Sequence, residues 1–107
     1  MRENTNSMPE NKYKIRAKVW QYPGMAGWHF LSVDKVQSKK IKQLFGNMSG
    51  GFGSLPVSVT LGATSWKTSI FPDKKQGAYL LPLKAEVRKK EGIKAGDAIR
   101  FSLTIMI

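Results

Sequence analysis

Few side chains in this sequence could transfer a proton. His29 is the only histidine, and it lies between Trp28 and Phe30 in an apolar stretch. Acid–base catalysis needs two titratable groups with opposed roles, and no such pair stands out in the chain. We therefore interpret His29 as a packed or locally hydrogen-bonded side chain.

Metal and cofactor chemistry has equally little support. The seven carboxylates form no set with the spacing of a zinc, calcium or magnesium site, and the absence of cysteine excludes disulfides, thiolate ligands and a cysteine nucleophile. The glycine-rich run at residues 46–54 lacks the lysine and hydroxyl that end a phosphate-binding loop. Asp97 after Gly96 is typical of a turn. The sequence predicts a protein that is not an enzyme, with no catalytic residue, no metal and no cofactor.

Basic side chains are the strongest functional signal. The chain has 18 Lys and Arg against 7 Asp and Glu, for a formal net charge of +11. Such an excess favours polyanionic partners, either nucleic acid or an anionic membrane surface. The candidate polyanion-binding residues are a stripe on the first predicted strand and a cluster on the second predicted helix: Lys12, Lys14, Arg16, Lys18, Arg88, Lys89 and Lys90. The alternative interpretation is that these solvated cations only keep the protein soluble.

Aromatic side chains suggest a different class of function. A barrel rich in tryptophan could hold a small ligand or contact a protein partner, and the candidate residues are Trp20, Trp28, Trp66 and Tyr79. The alternative is that the tryptophans fill the barrel, because aromatic side chains usually dominate small cores.

The length and the terminal segment limit the organisation of the chain. The 107 residues fit one domain, predicted at residues 12–107. Residues 1–11 are polar and predict a disordered tail without the apolar core of a secretory signal. No segment approaches the roughly 18 apolar residues of a membrane span. We expect a cytoplasmic protein, and whether it is a monomer or a homodimer stays open.

Hydrophobic periodicity predicts six strands and two short helices. Strict alternation at residues 12–20 places the basic stripe on one face of the first strand. Residues 28–33 read as a strand buried on both sides, and Asp34 with Gln37 has the form of a capping box for a helix at 35–45. The other predicted elements are a mobile loop at 46–54, strands at 56–61, 64–71, 78–81 and 97–107, and a basic helix at 84–91 that ends at Gly92.

An internal repeat relates the two halves of the chain. Residues 27–40 align with residues 77–90, and in each a glycine opens an apolar strand that runs into a basic helical segment. The repeat predicts a mainly β fold, a small closed barrel with pseudo-twofold symmetry.

Residues 81–101 resemble the signature of AbrB-type swapped-hairpin proteins. In that signature a proline follows a strand, an arginine lies in a helix, and a Gly-Ile and a Gly-Asp turn precede the closing strand. The matching residues are Pro82, Arg88, Gly92, Ile93, Gly96 and Asp97. AbrB-type proteins read DNA as dimers, whereas a chain that holds both halves could close its barrel alone.

The order of elements from Tyr13 to Ile105 resembles an uncharacterised prokaryotic family more closely. The family is number nineteen-oh-five among the domains of unknown function, and it is sometimes fused to a bacteriocin-protection domain. The matching landmarks are Trp28, Phe30, Trp66, Ser69, Ile70 and the segments 79–83, 87–89 and 92–97. The resemblance implies a double-split β-barrel and brings no established reaction, cofactor or catalytic residue.

Overall fold

The computed structural model describes residues 11–24 and 27–106. Two α-helices, α1 (Lys35–Phe45) and α2 (Ala85–Glu91), each follow a strand, and two 3-10 turns at Gly46–Met48 and Gly51–Gly53 follow α1. The strands in chain order are β1 (Lys12–Lys18), β2 (Trp20–Gln21), β3 (His29–Ser32), β4 (Leu55–Leu61), β5 (Thr64–Asp73), β6 (Ala78–Pro82) and β7 (Ala98–Ile105). The predicted order of strands and helices is confirmed.

The strands form one antiparallel sheet in the order β1-β7-β4-β5-β6-β3-β2. Only Val19 separates β1 from β2, so the two terminal strands of the sheet are consecutive in the chain and the sheet curls into a barrel. The Val19 carbonyl accepts a 2.7 Å hydrogen bond from the Gly96 amide, and its amide donates to the Asp97 carbonyl. The predicted mainly β barrel is confirmed, and division of the first predicted strand at Val19 accounts for the seventh segment.

Two long strands are each shared between two parts of the barrel. Residues 64–70 of β5 pair with β4, whereas residues 71–73 pair with β6. In the same way β1 pairs with β7, and its continuation β2 pairs with β3. Splitting at these two places gives the barrel two outer surfaces, one over β1, β7, β4 and the start of β5, the other over β2, β3, β6 and the end of β5.

The internal repeat appears in the backbone hydrogen bonds between β3 and β6. Leu31 lies directly opposite Leu81, fifty positions later in the chain. The Val33 amide donates to the Tyr79 carbonyl and the Leu83 amide donates to the His29 carbonyl, both at 2.9 Å. A shift of fifty positions relates residue 33 to 83 and residue 29 to 79, so it converts each of these two bonds into the other. This confirms the predicted pseudo-twofold relation at this strand pair.

The core follows from the alternation of the strands. Inward positions are buried and outward positions are polar on β1, β4 and β7, as predicted for half-exposed strands. The prediction that residues 28–33 are buried on both sides is wrong. Leu31 and Val33 are buried, but Trp28 is 55% exposed and Phe30 is half-buried, because only one face of β3 meets the core.

Both helices are fastened to the sheet by specific hydrogen bonds. Asp34 caps α1 by accepting from the Gln37 amide at 2.8 Å, so the predicted cap is confirmed. Buried Ser38 donates to the Val33 carbonyl and accepts from the Tyr79 amide. The α2 residue Glu91 accepts a 2.6 Å bond from the Thr64 hydroxyl of β5. These contacts fix α1 beside β6 and α2 beside β5.

The predicted disordered tail falls mainly on residues 1–10, which lie outside the described residues. Asn11, the last residue assigned to that tail, is hydrogen bonded to β7. The Ile105 amide donates to the Asn11 carbonyl at 2.8 Å, and the Asn11 side-chain amide donates to the Ile105 carbonyl at 3.3 Å. Pairing along β7 therefore extends back to Asn11.

Candidate functional site

A cationic surface covers the outer side of β1, β7, β4 and the first part of β5. Cross-strand register aligns the outward side chains in rows: Lys12 with Thr104, Ser58 and Lys67, then Lys14 with Ser102, Thr60 and Ser65, and finally Arg16 with Arg100. The four predicted residues of the β1 stripe, Lys12, Lys14, Arg16 and Lys18, are all exposed here. We call this surface the cationic face; its cations are Lys12, Lys14, Arg16, Lys18, Lys67 and Arg100.

Within residues 11–24 and 27–106, the strand positions that form the rows of the cationic face include no carboxylate. Strands β1, β4 and β7 hold no Asp or Glu, and the single acid of β5, Asp73, lies at the strand's far end, where β5 pairs with β6. Arg16 and Arg100 stand directly opposite each other, an arrangement that is unfavourable for like charges. A depression of about 510 Å³ lies between Lys14, Arg16, Arg100 and Ser102. An anion bound there would reduce the repulsion between the two guanidinium groups.

The predicted cations of α2 divide into two kinds. Arg88 is partly buried, and its guanidinium donates to the Leu83 carbonyl and to the Gly27 carbonyl, both at 3.3 Å. These bonds tie α2 to the preceding turn and to the segment before β3, which is a structural role. Lys89 and Lys90 are exposed on α2. They belong to a helix beside β5 and are not in the rows of the cationic face.

An aromatic surface covers the outer side of β2, β3, β6 and the end of β5. Trp20 and Phe30 have ring centroids 5.2 Å apart, and Tyr22 and Trp28 have theirs 6.3 Å apart. Phe71 lies opposite Leu80 on the neighbouring pair of strands. We call this surface the aromatic face; its residues are Trp20, Tyr22, Trp28, Phe30, Phe71, Leu80 and Pro82.

The aromatic face holds two of the four predicted aromatic residues. Trp66 lies opposite buried Val59 and packs against the core, and Tyr79 is itself buried. The prediction that the tryptophans fill the barrel is therefore wrong for Trp20 and Trp28, which lie outside it. The partners that the prediction missed, Tyr22 and Phe30, carry a sequence signal, since each stands two residues after a tryptophan and so on the same side of an extended segment.

A hydrogen-bonded chain fixes the Trp20 ring. The indole Nε1 donates to the Ser32 hydroxyl at 2.9 Å, and that hydroxyl donates to the Gln76 side-chain oxygen at 2.8 Å. By contrast, the indole nitrogen of Trp66 is buried and has no hydrogen-bond partner in the part of the chain that the structure describes. Trp20 is thus an oriented ring at the surface.

The residues considered for catalysis have local structural roles. A ring nitrogen of His29, Nδ1, lies 3.2 Å from the Gly27 carbonyl, as expected for a local hydrogen bond. The Asp97 carboxylate accepts from the Lys94 amide at 2.9 Å, which confirms the predicted turn former. Within residues 11–24 and 27–106, no three His, Asp or Glu side chains come together as a metal site.

Neither helix in these ranges is long and apolar enough to cross a membrane.

Burial of Tyr79 predicts a loss of stability at alkaline pH. Desolvation raises the pKa of its phenol above the ordinary value of 10.0. The unfolded chain then releases this proton at a lower pH than the folded protein does. The phenol's contribution to stability is complete below about pH 10 and falls as the pH rises through the folded-state pKa.

Urea unfolding between pH 8 and pH 11 measures this effect. We expect the unfolding free energy of the wild type to fall more steeply above pH 10 than that of Tyr79→Phe. Tyr22→Phe, which removes an exposed phenol, is the matched control. Equal slopes for the wild type and Tyr79→Phe would contradict the prediction.

Comparison with known proteins identifies a family whose function is unknown. None of the curated proteins compared with this chain matches it. The family model described as "Domain of unknown function (DUF1905)" matches residues 16–103, which span the barrel from β1 into β7. The match covers most of the chain; it includes the aromatic face and Arg16, Lys18, Lys67 and Arg100 of the cationic face, whereas Lys12 and Lys14 precede it. The chain therefore belongs to the DUF1905 family.

Proposed function

We propose that this protein is a non-catalytic binding module that takes up nucleic acid or another polyanion on its cationic face. The observation that carries the proposal is the register of β1 and β7, which sets Arg16 directly opposite Arg100 in rows whose described positions hold no carboxylate. We place its activity in the prokaryotic cytoplasm. The resemblance to AbrB-type DNA-binding proteins supports the same partner class by analogy.

The chemistry of the cationic face suits a phosphate backbone. Arginine and lysine release condensed counterions when they approach phosphates, which gives a favourable entropy of binding. Ser58, Thr60, Ser102 and Thr104 add hydroxyl donors between the cations, and hydroxyl groups commonly contact phosphate oxygens.

Fluorescence anisotropy with labelled polymers tests the proposal. Duplex DNA, single-stranded DNA and RNA are titrated with the protein at low and at physiological salt. We expect the logarithm of the binding constant to fall linearly with the logarithm of the salt concentration. We also expect binding to remain measurable at physiological salt. Binding that disappears at physiological salt, or that does not respond to salt, would contradict the proposal and leave the charge as a solubility device.

A second candidate function is favoured by the exposure of the aromatic face. Trp28 and Tyr22 are 55% and 45% exposed and cluster with Phe30, and a contiguous exposed apolar patch commonly marks an interaction site. A small ligand or a protein partner could cover them. Tryptophan fluorescence titrated against a metabolite set tests the small-ligand form, and flat titrations would contradict it.

A further inference from the structure

We propose that the aromatic face binds the unpaired bases of a single-stranded nucleic acid whose phosphates are held by surrounding lysines and by the cationic face. This inference rests on the proposed function and names its substrate class. One bound strand would then contact both the aromatic face and the cationic face.

The first argument is the presentation of the rings. Trp28, Tyr22 and Phe71 are 55%, 45% and 41% exposed, so each offers ring surface to solvent. Trp20 is oriented by its bond to Ser32 and stands against Phe30. Rings held in place in this way serve as stacking platforms, and stacking is available to every base because every base has a π face.

The second argument is the shape of the surface. Trp28, Phe30 and Phe71 line a depression of about 510 Å³. Trp20 and Tyr22 line another of about 700 Å³. Leu80 lines both depressions, so they are neighbours on the outer side of β2, β3 and β6, and we call the two together the groove. A groove with aromatic rings in both parts suits successive bases better than it suits one small molecule.

The third argument is the charge around the groove. Lys84 borders the first depression, and Lys74 and Lys75 border the second. Among the described residues that line the groove, the one acid is Asp73, and its carboxylate accepts a hydrogen bond from the Lys75 backbone amide at 3.1 Å, which occupies one of its oxygens. A ligand that is both aromatic and anionic can stack on the rings and pair its charge with the lysines at the same time.

The fourth argument is continuity with the cationic face. Lys67, Ser69 and Phe71 alternate along β5 and project from the same side of that strand. Steps of two residues along a strand cover about 7 Å. A bound strand could therefore pass from the phosphate-binding rows to the aromatic groove without crossing the barrel.

These features select a single strand over a duplex. In a duplex the faces of the bases are covered by their neighbours, so the rings of the aromatic face would have nothing to stack on. A single strand exposes its bases while it keeps its phosphates. Duplex DNA is thus expected to use the cationic face alone.

The test compares probes that have equal numbers of phosphates. A labelled single-stranded oligonucleotide, an abasic oligomer of the same length and a duplex with the same total phosphate number are titrated by anisotropy, with tryptophan fluorescence recorded in parallel. We expect the base-bearing strand to bind at least fivefold more tightly than the abasic oligomer and to quench tryptophan emission. Binding of the abasic oligomer reports the cationic face separately.

Variants assign the effect to the groove. Trp28→Ala and Tyr22→Ala each remove an exposed ring, and we expect each to lower the affinity for the base-bearing strand at least fivefold while that for the abasic oligomer stays unchanged. Phe52→Ala is the matched control, because Phe52 is 99% exposed and lines neither depression. Thermal melts verify that the variants are folded.

The outcomes separate the two proposals. Equal affinities for base-bearing and abasic strands, with no effect of Trp28→Ala or Tyr22→Ala, would overturn the aromatic inference and leave polyanion binding in place. Absence of binding to every phosphate polymer would overturn both. Quenching by a free nucleoside or metabolite, with no binding of strands, would assign the groove to a small ligand and also overturn the inference.

Discussion

Replacing Lys14 and Arg16 together by glutamate is expected to lower the affinity for nucleic acid roughly tenfold or more at low salt. Both side chains lie in the middle of the cationic face and border the depression shared with Arg100. Each cation that contacts a phosphate adds about 0.9 to the salt slope for a duplex, so removal of two contacts should flatten the slope by about 1.8. Anisotropy titrations over a salt series measure both quantities.

A matched variant separates position from net charge. Lys39→Glu with Lys40→Glu changes the total charge equally but places the change on exposed positions of α1. We expect this variant to lose much less affinity, and its salt slope to stay near the wild-type value. If the two double variants lose affinity equally, the net charge of the protein controls binding and the cationic face does not.

Truncation of Leu103 to alanine is expected to lower the unfolding free energy by about 2–5 kcal/mol. Leu103 is fully buried in β7 and lies opposite Tyr13 of β1 and Val59 of β4, so its removal leaves a cavity where three strands meet. A domain of this size has a total stability of roughly 5–15 kcal/mol, so the loss is a large fraction. Urea denaturation followed by tryptophan fluorescence measures it.

The same truncation connects stability to the site. Among the described strands, β1 is paired along its length with β7 alone, and the cationic stripe depends on that pairing. Met106→Ala, an exposed truncation just beyond β7, is the control, and we expect it to change stability by less than about 0.5 kcal/mol. Similar losses for Leu103→Ala and Met106→Ala would contradict the placement of Leu103 at the centre of the core.

Local patterns in the sequence determined much of this fold. Strict alternation predicted β1 with its exposed Lys12, Lys14, Arg16 and Lys18, because a strand places successive side chains on opposite faces. The caps at Asp34 and Gly92 are equally local, since an N-cap needs a side-chain acceptor and a C-cap favours a residue with positive φ. The fifty-residue repeat predicted the pseudo-twofold relation of the two halves, which the structure shows in the pairing of β3 with β6. Each of these features depends on residues a few positions apart or on one fixed offset.

The tertiary structure alone decided which side chains share a surface. Arg100 joins Arg16, and Lys67 joins Lys12, only through the register of β1, β7, β4 and β5, and register between distant strands leaves no mark in a short sequence pattern. The sequence pattern placed Arg88 among the exposed cations. In the structure its guanidinium donates to the Leu83 and Gly27 carbonyls, which the path of the chain brings close to it.

The aromatic strands show the same limit most clearly. Alternation predicts that Trp28 and Phe30 share a face, but it does not say whether that face meets the core, because tryptophan and phenylalanine are compatible with both environments. The inward face of β3 is already occupied by Leu31, which packs in the core, so the rings lie outside. The sequence by itself determined the strands, the caps, the repeat and the excess of positive charge. Only the closed barrel decided where that charge and those rings come together, because each pairing joins residues far apart in the chain.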